Sequence, residues 1–152
     1  MIVKELMNTR VATCPADGDL ASAVATMHDR GCGFLPVVDA NATLVGVVTD
    51  RDICMAVGIS HRALDRISVK EAMSHPVFSC VADENVKTAL VTMANHHVRR
   101  LPVINRSGHL EGVLSFDDVV QAPHRRGSPT ADDIVDALRR ICSRRPIEAV
   151  TA

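Results

Sequence analysis

The chain states one motif series twice. Val3-Lys4-Glu5-Leu6-Met7 returns as Val69-Lys70-Glu71-Ala72-Met73, an offset of 66 residues from Val3 to Val69. At that offset, and without a gap, Leu35-Pro36-Val37 falls on Leu101-Pro102-Val103. Gly46-Val47-Val48-Thr49 falls on Gly112-Val113-Leu114-Ser115, and Asp52 on Asp118. Roughly 18 of about 51 aligned positions are identical, and self-similarity at a fixed period marks a repeat architecture. Each copy is too small to bury its own apolar face. Two copies are therefore expected to pack around a pseudo-two-fold axis, and any site the unit carries is expected twice.

Within each copy the pattern reads strand, helix, strand, strand, helix. Val11–Cys14 and Val77–Val81 read as first strands. Asp19 and Asn85 suit N-caps of the helices that follow, because their side-chain oxygens can accept from free first-turn amides. Leu20, Ala23, Val24 and Met27 recur at i, i+3, i+4 and i+7, and Val86, Ala89, Leu90 and Met93 repeat the stripe. Both helices are thus expected to bury that face. Gly31 and Gly33 suit the helix exit in the first copy, where the second has His97 and Arg99.

A hairpin follows in each copy. Phe34–Val38 turns through Asp39-Ala40-Asn41-Ala42 into Leu44–Thr49; Arg100–Ile104 turns through Asn105-Arg106-Ser107-Gly108 into Leu110–Ser115. Short helices at Asp50–Val57 and Phe116–Gln121 close the copies. The expected organisation is a first repeat at 1–58, a linker at 59–68, a second repeat at 69–121 and a C-terminal basic turn and helix at 122–152. In that last segment Ser128-Pro129 reads as N-cap and first helical residue. Ala131, Ile134, Val135, Leu138, Ile141 and Cys142 form an apolar stripe, with Asp early and Arg late to suit the helix dipole, and Pro146 stops the helix. Its stripe either packs on the module or meets a partner.

Bulk properties narrow the function. The 152 residues fit one compact domain that buries roughly 70% of its unfolded surface. A net charge of −1 argues against a polyanion-coating protein. Phe34, Phe78 and Phe116 are the only aromatics, too few for a base-stacking platform, so no nucleic-acid partner is expected. No apolar run approaches the ~20 residues that span a bilayer, and Met1-Ile2-Val3-Lys4-Glu5 lacks a signal-peptide layout. No membrane partner is expected, and a cytoplasmic location is. The five cysteines include no C-x-x-C pair. Cys14 and Cys80 are repeat equivalents, expected as small core residues and reduced thiols. His28 and Cys32 have ligand-like spacing, but no second pair stands near them, and no metal site is expected.

The sharpest local pattern is Gly46-Val47-Val48-Thr49-Asp50-Arg51-Asp52 with its echo Gly112-Val113-Leu114-Ser115-Phe116-Asp117-Asp118. A strand ends at a hydroxyl residue where a helix begins. The free amides of a helix start attract an anion such as phosphate, and the Thr49 or Ser115 hydroxyl can add a hydrogen bond. Asp52 or Asp118, one turn on, can accept from a ribose diol, as acidic residues do in dinucleotide folds. The same spacing also fits a capping box, in which both side chains serve only their own helix. Duplication copies caps as faithfully as sites, so both readings stand on the motif alone.

These marks, namely Val-x-x-x-Met, the helix with Ala23 and Met27, Leu-Pro-Val and Gly-h-h-Thr/Ser-x-x-Asp (h apolar), resemble a tandem pair of cystathionine-β-synthase-type (CBS) domains, a Bateman module. The resemblance covers about residues 3 to 121. It implies an α/β (α+β) fold: two β-α-β-β-α repeats paired through their sheets by pseudo-two-fold symmetry, here with an added C-terminal amphipathic helix. It implies two clefts for adenosyl ligands: AMP, ADP or ATP foremost, with NAD or S-adenosylmethionine as further candidates, and no required cofactor. Thr49 and Ser115 become phosphate contacts and Asp52 and Asp118 ribose contacts. Val11, Val77 and Phe78 flank the adenine, and Val47 and Val113 lie beside it. Arg99 and Arg100 match the basic positions that precede Leu-Pro-Val in phosphate-binding members. The first copy has Gly33 and Phe34 there, so its cleft is expected to lack that cationic help unless Arg51 or the other repeat supplies it. The two clefts should be unequal, and the one holding Arg99 and Arg100 should prefer more phosphate charge. His96 and His97 read as helix-end residues near the cleft rather than metal ligands.

No G-x-G-x-x-G in a strand-to-helix context, Walker A, G-x-S-x-G or H-E-x-x-H motif occurs, so no enzymatic activity is expected. The expectation is a non-catalytic regulatory module, a homodimer acting in trans on a partner protein. The rival is a structural or interaction module without bound nucleotide.

Overall fold

A computed structural model describes residues 1–123 and 125–143. The first repeat contains β1 (Cys14–Pro15), α1 (Leu20–Arg30), β2 (Phe34–Val38), β3 (Leu44–Thr49) and α2 (Asp50–Ser60). The second opens on a one-turn helix, α3 (Val69–Ala72), then β4 (Cys80–Val81), α4 (Val86–His96), β5 (Arg100–Ile104), β6 (Leu110–Ser115) and α5 (Phe116–Gln121). Helix α6 (Ala131–Cys142) follows. Two three-stranded sheets result, ordered β1-β2-β3 and β4-β5-β6. In each, the short first strand runs parallel to the second, and the hairpin strands are antiparallel.

The expected caps form. Asp19 accepts from the Ser22 amide and Asn85 from the Lys87 amide. Gly31 ends α1 at φ 59°, in the left-handed region where glycine meets no Cβ penalty. His97 takes the same conformation at φ 53°. Gly33 does not serve the exit; it leads into β2. Cys14 and Cys80 are buried at the heads of the first strands, as expected.

Pseudo-symmetry is visible in the contacts between copies. Asn8 bridges Val113, and its twin Ser74 bridges Val47. Ile2 bridges Asn85, and Ser68 bridges Asp19. Thr43 bridges its own twin His109, which places the axis between the two hairpins. These bridges swap the lead-in segments. Val3 sits in the core of the second unit with Leu90, Leu101 and Leu114, whereas Val69 sits in that of the first with Leu20, Leu35 and Val48. The swap explains two glycines. A Cβ on Gly46 would collide with Met73 Sδ, and one on Gly112 would lie 2.7 Å from the Asn8 carbonyl oxygen. The Met of the lead-in and the Gly of the hairpin are thus two halves of one close approach.

Several expectations are corrected. The first strands are only two residues long, because only Cys14–Pro15 and Cys80–Val81 find ladder partners on β2 and β5. Val11, Val77 and Phe78 lie in the extended segments before them. Helix α2 continues through Gly58 to Ser60, with left-handed His61 as its C-cap. The N-cap of α6 is Thr130, not Ser128: Thr130 forms a capping box with Asp133 and leaves Pro129 outside the helix. Pro146 lies outside the described residues. The face of α6 that packs on α4 is Ile134, Ala137 and Ile141, not the expected stripe: of that stripe only Ile134 and Ile141 pack on the second core, while Ala131, Val135, Leu138 and Cys142 are exposed. Val24 was expected to be buried but is exposed. Its twin Leu90 is buried in the core that Ala137 and Ile141 of α6 join, while among the described residues no such helix joins the first core.

Candidate functional site

Two clefts open where the repeats meet, and their linings correspond at the repeat offset. The first, about 770 Å³, takes Val47, Thr49, Arg51 and Asp52 from the first repeat. From the second it takes Ser74 to Phe78, His97 to Arg100 and Pro102, and α6 adds Ile141 with Ser143 beyond its end. The second cleft, about 350 Å³, takes Val113, Ser115 and Asp118 from the second repeat. From the first come Asn8, Arg10, Val11, Ala12, Arg30, Cys32 and Phe34. Phe34 and Arg100 line both clefts. Each site is therefore crossed: its hydroxyl–carboxylate pair belongs to one repeat and its opposite wall to the other. The straps that impose this are the paired backbone hydrogen bonds between Ser74 and Val47 (2.8 and 3.3 Å) and between Asn8 and Val113 (2.9 and 3.0 Å).

The eleven residues singled out from sequence all line one of the two clefts. Thr49, Asp52, Val47, Val77, Phe78, Arg99 and Arg100 share the first; Ser115, Asp118, Val113 and Val11 share the second, which Arg100 also reaches. The partnership differs from a reading copy by copy. Arg99 and Arg100 line the same cleft as Thr49 and Asp52, so the first motif has arginines of the other repeat in its cleft. Arg10 and Arg30 line the second cleft. Neither was singled out from sequence, because their twins are Pro76 and His96 and no repeated mark flags them. Each cleft thus has two arginines of its own, Arg51 with Arg99 or Arg10 with Arg30, and a share in Arg100.

Both hydroxyl–carboxylate pairs are capping boxes. Thr49 Oγ1 donates to Asp52 Oδ2 at 2.7 Å and accepts from the Asp52 amide at 3.2 Å. The Thr49 amide donates to the same Oδ2 at 2.9 Å. Ser115 and Asp118 repeat this at 2.6, 3.1 and 2.8 Å. Capping occupies only one oxygen of each carboxylate. Asp52 Oδ1 receives a long 3.5 Å contact from Ser74 Oγ, so it keeps capacity to accept from a diol.

The remaining walls differ. In the first cleft Phe78 stacks on His96, centroids 3.5 Å apart and planes 12° from parallel. The twins in the second cleft are Ala12 and Arg30, which form no aromatic face. His97, which also lines the first cleft, carries a buried Nδ1 without a hydrogen-bond partner in the described structure. Arg99 Nη2 lies 3.4 Å from Cys142 Sγ at the end of α6. The Arg100 guanidinium stands over the Phe34 ring, 5.9 Å from its centroid. Among the described residues no group of three or more His, Cys, Asp or Glu comes together as a metal site. None of the described helices is long and apolar enough to cross a membrane.

The chain belongs to the CBS domain family: the CBS domain model matches residues 3–59 and again residues 69–125. It is 33% identical over 134 residues to the uncharacterized protein YlbB of Bacillus subtilis, covering 86% of this chain and 89% of that protein. It is 34% identical over 116 residues to a homoserine O-acetyltransferase of Methanosphaerula palustris, covering 76% of this chain but only 23% of that enzyme. Among solved structures, that of CBSX2 in complex with AMP is 27% identical with a TM-score of 0.69, covering 79% of this chain and 93% of that one. The CBS domain pair of protein MJ0100, in complex with 5-methylthioadenosine and S-adenosyl-L-methionine, is 21% identical with a TM-score of 0.72. It covers 80% of this chain and 94% of that one, and shares the fold.

Proposed function

We propose that this chain is a non-catalytic regulatory module that binds an adenine nucleotide or another adenosyl ligand in its inter-repeat clefts and acts in trans on a partner protein. One observation carries this: each cleft sets a hydroxyl–carboxylate pair from one repeat against arginines from the other. That combination suits a nucleoside phosphate. Guanidinium pairs with phosphate through charge-assisted hydrogen bonds, and the free carboxylate oxygen accepts from ribose. Apolar Val47, Val77 and Phe78, or Val113 and Val11, offer a base-binding wall. The AMP bound by CBSX2 supports an adenosyl ligand. A ligand that touches both repeats favours one arrangement of them, and a partner reads that arrangement.

The module works as a homodimer in this proposal. Met55 (53% exposed) and Ile59 (73% exposed) on α2 and Val120 (52% exposed) on α5 leave apolar surface uncovered. The second reading, a structural module without nucleotide, is favoured by the complete capping boxes. Isothermal titration with AMP, ADP, ATP, NAD and S-adenosylmethionine separates the two. Binding of any one, with loss of one of its sites on Asp52→Ala, supports a sensor; no heat for any of them leaves the structural role.

A further inference from the structure

Among the described residues, Arg100 is the one cation common to both clefts. It occupies the repeat position whose twin is Phe34, and the two side chains meet, with the guanidinium over the ring at 5.9 Å. A residue and its twin can meet only near the pseudo-two-fold axis, which is also where the walls of the two clefts converge. Both clefts accordingly count Arg100 in their linings. The side chain is exposed and rests on an aromatic face, and among the described residues it forms no ion pair with a carboxylate.

We propose that Arg100 makes the two clefts compete for phosphate-bearing ligands. This rests on the nucleotide-binding reading and adds a coupling between its two sites. A bidentate pair with phosphate takes two of the five guanidinium N–H donors, but it aims the one side chain and its single charge into one cleft and away from the other. A ligand in either cleft draws Arg100 off Phe34 towards its phosphate. The second ligand then enters a cleft left with its two private arginines, Arg51 and Arg99 or Arg10 and Arg30. Losing one charge-assisted contact corresponds to roughly a tenfold loss of affinity. The first ATP therefore binds at least about tenfold more tightly than the second, beyond any intrinsic difference between the clefts. Adenosine, which has no phosphate, shows no such opposition.

Calorimetric titration of ATP tests this in the intact chain, in Asp52→Ala (second cleft alone), in Asp118→Ala (first cleft alone) and in Arg100→Ala. Circular dichroism verifies the fold of each. The expected result is one tight site in each single-cleft variant and, in the intact chain, a second step at least tenfold weaker than either. Arg100→Ala weakens the first step about tenfold and leaves the second unchanged. Stepwise constants in the intact chain that match the two single-cleft variants overturn the coupling. So does an Arg100→Ala variant that weakens both steps equally, as an arginine bridging both phosphates would. A single-cleft variant without a binding site overturns it too, since one cleft is then not a site. Absence of ATP and adenosine binding in every form rejects the nucleotide-binding reading itself.

Discussion

Ser115 Oγ donates to Asp118 Oδ2 at 2.6 Å while accepting from the Asp118 amide at 3.1 Å, so the hydroxyl has a partner on both sides. Thr49 and Asp52 repeat the arrangement. Helix capping therefore occupies the same atoms that the proposed ligand contacts would use. A phosphate that recruits either hydroxyl must take its proton from the carboxylate, whereas a ribose needs only the other carboxylate oxygen.

Removing the carboxylate should then have two separable effects. Asp118→Ala is expected to cost about 1 kcal/mol of stability through the lost cap. It is also expected to weaken adenine-nucleotide binding at the second cleft at least tenfold, leaving the first cleft's site. Chemical denaturation and calorimetry read the two quantities independently. Lost stability with unchanged affinity would assign the pair to capping alone.

The crossed geometry is tested by pairing substitutions across repeats. Arg99 shares a cleft with Asp52, not with Asp118. In an Asp118→Ala background, where only the first cleft remains, Arg99→Ala should weaken ATP binding about tenfold. In an Asp52→Ala background it should change affinity less than about twofold, since Arg99 is not in the cleft that remains. Arg30→Ala should show the reverse pattern. An Arg99 effect confined to the Asp52→Ala background would mean that each site is built within one repeat.

That crossing marks the limit of what the sequence expresses. Elements were legible because their causes are local. Leu20, Ala23 and Met27 repeat at helical spacing, Asp19 and Asn85 cap, and Gly31 and Gly108 turn the chain at positive φ. The hydroxyl–carboxylate pairs were legible for the same reason. The offset says that Arg100 is equivalent to Phe34, but not that the two touch. That follows from long-range bridges such as Ser74 with Val47, which no local pattern encodes. Arg10 and Arg30 were missed because a repeat advertises what its copies share, and neither has an arginine twin: Pro76 and His96 stand at the matching positions. Val11 read as the start of the first strand, yet the sheet edge pairs only from Cys14 onward. Val24 read as buried because its stripe matches that of Leu90, but burial at that position requires a helix that, among the described residues, joins only the second core.

The thiols should divide by burial. Burial pushes the Cys14 thiol up to about 11; burial, with the Glu84 charge second, pushes Cys80 up to about 12. Both are poor nucleophiles in the folded state. Cys54 and Cys142 are exposed and Cys32 is half-buried. At pH 8, mass spectrometry after brief iodoacetamide treatment should find Cys54 and Cys142 labelled first, with Cys14 and Cys80 labelled only after denaturation. Early labelling of Cys80 would contradict its place in the core.

Acid should weaken the fold through two carboxylates outside the clefts. Glu71 is lowered to about 2, first by the Ser68 amide and then by Arg62; Asp133 is lowered to about 2, first by Lys87 and then by the Thr130 amide. Their folded values lie below the unfolded ones. Their stabilisation is therefore complete above the ordinary carboxylate range and is lost as pH falls through about 2. Glu71→Gln with Asp133→Asn should flatten the fall in thermal midpoint between pH 5 and roughly pH 2. An unchanged pH profile would assign acid sensitivity to other groups.

Helix α6 should behave as part of the second unit and as a wall of the first cleft. Ala137 and Ile141 are buried in the core with Leu90 and Met93, and Lys87–Asp133 (2.8 Å) and the Arg140–Asn95 hydrogen bond clamp the helix to α4. The ion pair is solvent-exposed and contributes little, so the apolar contact is the main term. Ile141→Ala removes buried methyl groups near the rim and should cost about 2 kcal/mol, the low end for such a truncation. Leu138→Ala, on the 37% exposed side, should cost less than about 1 kcal/mol. Because Ile141 also lines the first cleft, Ile141→Ala should alter affinity in the Asp118→Ala background and leave the second cleft unaffected. Urea denaturation and calorimetry on the same preparations check both effects. Equal losses at Ile141 and Leu138, with no change at either cleft, would show that α6 lies on the surface without closing the site.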